Sequence, residues 1–194
     1  MAGPMSICGV ILSAGASSRM GRDKALLPWP PGSTSGETML SASIEALKPF
    51  AECIIVVAGR NLEAMIPLAF AHGASIAQNI APELGQFSSL QVGLREAVAR
   101  GFDAAMITLV DNPPLSAASR QRLRTAFDEA LARGHWGIAP EYGGKRGHPL
   151  FASRELIDAF LAAPVTSNAR EIKHQHADLI ESIPVSEPFL TVDV

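Results

Sequence analysis

The sequence predicts an α/β fold with a mainly parallel sheet covered by helices on both faces, and three observations carry the prediction. Short apolar runs of strand length alternate with segments of helical period along the chain, the pattern of repeated strand–helix units. The best of these runs, Cys53-Ile-Ile-Val-Val-Ala58, is continuously apolar instead of alternating, as suits a strand covered on both faces. The 194 residues are 47% hydrophobic and 18% charged. That is enough apolar material for one core, so residues 1–194 read as a single domain, and too little charge for a disordered chain.

The first strand is placed at residues 6–12, and it ends abruptly in the small residues Ser13, Ala14, Gly15, Ala16, Ser17 and Ser18. Residues 26–36 are rich in Pro, Gly and Ser, which predicts an irregular surface excursion. A helix follows at 39–47, with Leu40, Ile44 and Leu47 on one face. The second strand is 53–58. A weaker helix is placed at 61–71, because Pro67 falls inside its pattern. The third strand is 74–78. A helix at 89–100 turns Leu90, Leu94, Ala97 and Val98 inward and stops at Gly101. The fourth strand is 104–110. Ser116 caps a helix whose Leu123, Phe127, Ala130 and Leu131 form an apolar stripe ending at Gly134. Strands at 136–140 and 150–152, helices at 154–161 and 168–176, and strands at 179–185 and 190–194 complete the chain. No internal repeat and no dividing linker interrupts this order.

Composition narrows the partners. A formal charge of −3 argues against a general nucleic-acid surface, so the positive charges that matter must be local. Cys8 and Cys53 both lie in apolar strands, where a buried thiol is the expected state instead of a disulfide or a metal site. No stretch has the length and apolarity of a membrane span, and no basic segment followed by an apolar core opens the chain. No membrane partner is expected, and the chain reads as cytoplasmic.

The chemistry-bearing stretch runs from Leu12 through Lys24. Small residues let backbone N–H groups wrap an anion, and Arg19, Arg22 and Lys24 follow at once to neutralise it. A Gly/Ser turn after a strand is also plain turn chemistry, and the stretch is neither a dinucleotide fingerprint nor a P-loop. Asp111, in Leu109-Val-Asp-Asn-Pro-Pro114, follows the fourth strand directly. One such carboxylate with phosphate oxygens and waters suits Mg²⁺, and it equally suits a turn before Pro113. Asn79, Gly85, Ser88 and Ser89 precede a helix and can either cap it or read a base or ribose. Gly143-Gly-Lys-Arg-Gly-His-Pro149 is a second Gly-rich loop carrying cations.

The order Leu12, Ala14, Gly15, Ser17, Arg19, Met20, Gly21, Lys24 resembles the LxAGxSxRMGxxK signature of the MobA-like nucleotidyltransferases, with Ser13 where Ala is usual. These enzymes attach a nucleotide to the pterin of the molybdenum cofactor. Leu109, Asp111 and Pro113 match the family's LxDxP, in which Asp is a metal ligand. Family members show NxxxxxGxxxSLxxGL in the nucleotide pocket, and Asn79, Gly85, Ser88 and Ser89 match this segment. Gly144, Gly147, His148 and Pro149 match GxxGHP, which faces the acceptor. Two places depart. Where relatives have Gly-Asp-x-Gly-Ala-Arg, this chain has Val165-Thr-Ser-Asn-Ala-Arg170, and only Ala169 and Arg170 are kept. A DIDTPED-like segment is represented by Thr191-Val-Asp-Val194, with Asp193 at its first carboxylate.

The resemblance implies a three-layer Rossmann-like fold of the glycosyltransferase-A type, with one antiparallel strand among parallel ones. It implies a nucleotide pocket of Leu12, Ser13, Ala14, Gly15, Arg19, Lys24, Asn79, Gly85, Ser88 and Ser89. It places Arg19, Lys24 and Asp111 in catalysis, and Mg²⁺ on Asp111 and Asp193. An acceptor side is formed by Gly144, Gly147, His148, Pro149 and Arg170. His148 is expected to orient the acceptor, whose phosphate is already anionic at neutral pH. Cytidylyl members carry Ala at the position of Ala14 and guanylyl members Gly, so CTP is the expected donor, a methyl there crowding a purine. The expected partners are CTP or GTP, a phosphorylated pterin acceptor, and a molybdenum enzyme that takes the product. Transfer of another nucleotide to a different phosphorylated acceptor, and a nucleotide-binding or chaperone module without catalysis, are the alternatives.

Overall fold

The computed structural model describes residues 5–15 and 23–191. Its strands are β1 (Ile7–Ser13), β2 (Cys53–Ala58), β3 (Ser75–Gln78), β4 (Ala104–Leu109), β5 (Gly137–Tyr142), β6 (Lys145–Arg146), β7 (Leu150–Ser153) and β8 (Ile180–Pro184). Its helices are α1 (Met39–Leu47), α2 (Leu62–Ala71), α3 (Gln86–Ala99), α4 (Ala117–Ala132), α5 (Arg154–Ala162) and α6 (Ala169–Gln175). The strands form one mixed sheet with the order β3-β2-β1-β4-β7-β5. β6 continues the β7 side of β5, and β8 lies along its other edge. β1, β2, β3 and β4 are mutually parallel. β7 runs antiparallel to both β4 and β5, the expected reversed strand.

Alternation along each strand sorts the core into two apolar layers, because successive side chains leave opposite faces. Ile7 and Ile11 of β1, Val56 of β2 and Met106 of β4 pack with Leu40, Ile44, Met65, Leu123 and Phe127 of α1, α2 and α4. Cys8, Val10, Ile55, Val57 and Ile107 pack on the other face with Leu90, Leu94, Leu156 and Phe160 of α3 and α5. Burying each large side chain of this kind contributes roughly 1.5–3 kcal/mol. Gly93 sets how closely α3 seats. A Cβ there would meet Val10 Cγ1 at 2.5 Å and Val57 Cγ2 at 2.8 Å. Both cysteines are free thiols, and burial, then the neighbouring Cys53, pushes the Cys8 thiol up to about 12.

The connections fix where a ligand can sit. The chain runs outward from β1 to β2 to β3 and then returns through α3 to β4 on the other side of β1. The reversal opens a crevice at the carboxyl ends of β1 and β4, the switch point at which open α/β sheets bind ligands.

α2 spans Pro67 as expected, the burial of Met65 and Ala69 beside it offsetting the poor propensity. Other boundaries differ from the sequence expectation, for physical reasons. α3 begins at Gln86, not at 89, and Ser88 lies within it instead of capping it. Phe87 is the anchor, buried edge-on to Phe160 with ring centroids 6.3 Å apart. The expected strand over 190–194 is not formed at its described end, where Pro188–Thr191 is a 3₁₀ turn. Pro188 lacks the N–H that a ladder needs, and its fixed φ suits the turn. The loop at 143–149 holds a hairpin, β5 to β6, turned by Gly143 and Gly144 at positive φ. Ser116 caps α4 as expected, its Oγ accepting from the Ser119 amide at 3.2 Å.

Candidate active site

β1 and β4 lie side by side with Leu12 opposite Leu109. Past the strand ends the Val110 amide donates to the Leu12 carbonyl at 3.1 Å, which brings Asp111 beside the small-residue bend. Lys24 returns from the far end of that bend, and its Nζ donates to Asp111 Oδ2 at 2.9 Å, both side chains about a quarter exposed. Ser13, Gly15, Asp23, Lys24, Gln86 and Asp111 line a polar cavity of about 190 Å³ around this pair. Ser13 contributes backbone there, since its hydroxyl turns inward to Met65 Sδ at 3.9 Å. Arg19 and Asp193 lie outside the described residues.

Asn61, at the start of α2, ties the two ends of the bend together. Its Nδ2 donates to the Ser13 carbonyl at 2.9 Å and to Asp23 Oδ2 at 2.5 Å, while its Oδ1 accepts from the Gly59 amide at 3.0 Å. Asp23 Oδ1 in turn accepts from the Ala25 amide at 3.0 Å and caps the 3₁₀ turn that carries Lys24. The position of Lys24 thus follows from contacts reaching β1 and β2. Replacing Asn61 with Ala strands these partners, and the expected cost in urea unfolding is about 1–3 kcal/mol.

Asn79, Ser88 and Ser89 form a buried brace behind the loop that leads into α3. Asn79 Nδ2 donates to Ser88 Oγ at 2.8 Å and Ser89 Oγ at 2.9 Å, and Ser88 Oγ donates to the Gly85 carbonyl at 2.7 Å. Their polar atoms are turned on one another, so in this chain they shape the loop, and Gly85 and Gln86 are what that loop presents to the crevice.

A second cavity of about 360 Å³ adjoins the first and shares Leu12 and Gln86 with it. Its walls are mainly apolar, from Leu12, Phe87, Leu90 and Leu150, and His148 and Arg170 reach it. His148 Nδ1 donates to the Ile107 carbonyl at 3.3 Å, which fixes the ring against β4. The other GxxGHP residues stand apart from this cavity. Pro149 is buried, Gly147 packs against Leu190, and Gly144 lines an outer extension of the cleft. Ala14 lines neither cavity: it is buried with its methyl toward Gly59. Direct crowding of a purine by that methyl therefore does not follow, and its influence runs through the backbone it holds.

Sequence reasoning did not single out Asp23, Asn61, Gln86 or Lys173. Asn61 follows β2 at the same carboxyl edge of the sheet as Ser13, which is the signal that points to it. Gln86 and Lys173 gain their places only from how α3 and α6 pack. Arg170 is brought in because Gln91 Nε2 donates to the Phe160 carbonyl at 2.9 Å and the Ala163 carbonyl at 2.8 Å, holding the segment before α6 onto α3. Among the described residues no group of three or more His, Cys, Asp or Glu could by itself hold a metal ion, and no helix is long and apolar enough to cross a membrane.

Comparison with known proteins agrees with this geometry. The chain is 30% identical over 186 residues to a probable molybdenum cofactor guanylyltransferase of Rhodopirellula baltica, covering 96% of this chain and 82% of that one. It is 28% identical over 193 residues to the molybdenum cofactor cytidylyltransferase of Escherichia coli, covering 94% and 93%. The fold superposes on the crystal structure of Rv0371c from Mycobacterium tuberculosis with a TM-score of 0.75 at 21% identity, covering 98% and 93%. The family description "MobA-like NTP transferase domain" matches residues 9–179, which include Lys24, Asp111, His148 and Arg170, and the chain belongs to that family.

Proposed function

We propose that this chain transfers a nucleoside monophosphate from a nucleoside triphosphate to the phosphate of a molybdenum-cofactor pterin, with CTP as the favoured donor. The observation that carries the reading is the Lys24–Asp111 pair at the switch point, opening onto an apolar cavity walled by His148 and Arg170. A triphosphate needs cations and exposed amides at one end of the crevice, and a flat acceptor needs apolar walls beside it. The relatives named as molybdenum cofactor guanylyl- and cytidylyltransferases support this acceptor.

In the reaction an acceptor phosphate oxygen attacks the α-phosphorus of the triphosphate. The new Pα–O bond forms as the bond to the β-phosphate breaks, and pyrophosphate leaves. The acceptor phosphate is mainly a dianion at neutral pH, so no general base is required. Lys24 donates to the α-phosphoryl oxygens where charge grows, an electrostatic role that a fixed ammonium performs best in a partly enclosed site. Arg19 holds the leaving pyrophosphate. His148 and Arg170 orient the acceptor, its ring system lying along Leu12, Leu90 and Leu150.

Asp111 fits a divalent cation of the Mg²⁺ kind. Its carboxylate faces a polar, open cavity, and Mg²⁺ takes one or two carboxylates and completes its shell with phosphate oxygens and water. Asp111 and Asp193 would hold it, and the charge neutralisation it would supply favours the approach of the two anionic phosphates.

The donor preference rests on Ala14, the residue that cytidylyl members carry, which fixes the backbone at the end of β1. Pyrophosphate release with molybdenum cofactor, Mg²⁺ and each of CTP, GTP, ATP and UTP tests both parts. CTP is expected to exceed GTP by about tenfold in kcat/KM, a difference transmitted through the backbone that Ala14 holds and not by contact of its methyl with the base. Equal use of GTP would overturn the donor assignment, and release with none of the four would overturn the transfer itself.

A further inference from the structure

The cleft does not end at the apolar cavity. Asn168, Arg170 and Lys173 line that cavity and also a broader outer hollow, which adds Lys145 and Arg146 from the β5–β6 hairpin. The polar cavity, the apolar cavity and the outer hollow thus form one continuous path away from Asp111. Along the outer hollow Lys145, Arg146, Arg170 and Lys173 face only two carboxylates, Glu141 and Glu171. In a chain with a net charge of −3 this is a local reversal of sign.

Among the described residues these cations, Arg146, Arg170 and Lys173 included, have no carboxylate in ion-pair contact. Arg146 spends two donors on neutral groups, Ser182 Oγ at 2.7 Å and the Ile180 carbonyl at 3.1 Å. That holds its guanidinium in place without cancelling its charge. Lys173 follows Arg170 by three positions on α6, so both side chains leave the same face of the helix. Burial, then the charges of Arg146 and Arg170, holds the Lys173 ammonium below the ordinary lysine value. Three like charges around one hollow repel one another, and a bound anion relieves that repulsion.

We propose that Lys173, Arg170 and Arg146 form an anion subsite that receives a second negatively charged group of the acceptor, a carboxylate or oxyanion distinct from the phosphate that is nucleotidylated. This rests on the transferase reading above for its acceptor, and it asks of that acceptor a second anionic group besides the phosphate that is nucleotidylated. The subsite then fixes the acceptor's direction in the cleft, because the end seated on Lys173 cannot also reach Asp111.

Inorganic phosphate is the probe. In amide NMR titrations of the full chain, residues 145, 146, 170, 171 and 173 should shift together in a saturable way. In Lys173→Met that response should weaken by about tenfold or more, the scale of losing one charged donor, with Arg170→Gln as a second variant giving the same loss. Amides at 15, 24 and 111 should report a separate event that both variants leave unchanged. In transfer assays with molybdenum cofactor, Lys173→Met should raise the acceptor KM by about tenfold and leave the KM for CTP as it was. Absence of a saturable response at the hairpin and α6, or an acceptor KM unaffected by Lys173→Met, overturns the subsite. If the wild-type chain transfers nothing to molybdenum cofactor, the acceptor reading fails, and the phosphate titration still decides whether the anion subsite exists.

Discussion

Lys24→Met is expected to lower kcat for nucleotidyl transfer by about 10²–10³-fold, the cost of removing one preorganised donor from a developing negative charge. The residue is suited to this effect because its position is set by the fold. Asp23 caps its turn, Asn61 ties that turn to Ser13, and Asp111 receives its ammonium at 2.9 Å. The same pair contributes little to folding, since an ion pair of which each side chain is about a quarter exposed is worth about 0–1 kcal/mol. Steady-state pyrophosphate release and urea unfolding of the variant should therefore separate sharply. An equal loss in both would make Lys24 a structural residue.

Asp111→Asn should be more severe, with kcat reduced by about 10³-fold or more, the scale of losing metal-assisted charge stabilisation. The substitution is nearly isosteric and keeps an oxygen that Lys24 can donate to, so the cavity's shape is retained while its carboxylate is lost. Supplying excess Mg²⁺ should not restore the rate. Measured across a range of Mg²⁺ concentrations, a variant that recovers near wild-type kcat would show that the carboxylate only caps the turn before Pro113.

The parts of this fold that could be read from the chain are those whose signal is local. The β-branched run of β2 declares a buried strand without reference to anything else. The motif residues Lys24 and Asp111 could be paired in advance because both follow strands that end at the ligand-binding edge of such sheets. Orientation is what sequence does not carry. Asn79, Ser88 and Ser89 are as polar as a binding loop should be, yet they are buried and satisfy one another. Ala14 sits in the bend, yet its methyl faces Gly59 and not the cavity. Asn61 and Lys173 acquire their roles from contacts made across the sheet or between helices, far apart in the chain, and no periodicity marks them. The apolar Leu190 and its neighbours read as a strand, whereas the described end of that segment belongs to a 3₁₀ turn begun at Pro188, whose fixed φ suits the turn.

One triphosphate must bridge the bend after β1 and the carboxylate after β4, and calorimetric titration of CTP at increasing Mg²⁺ tests that bridge most directly. The expected result is that Mg²⁺ tightens CTP binding to the wild-type chain and to Lys24→Met, and that this tightening is lost in Asp111→Asn. An Asp111→Asn chain that binds CTP with the full Mg²⁺-dependent gain would show that the two strand ends serve different ligands.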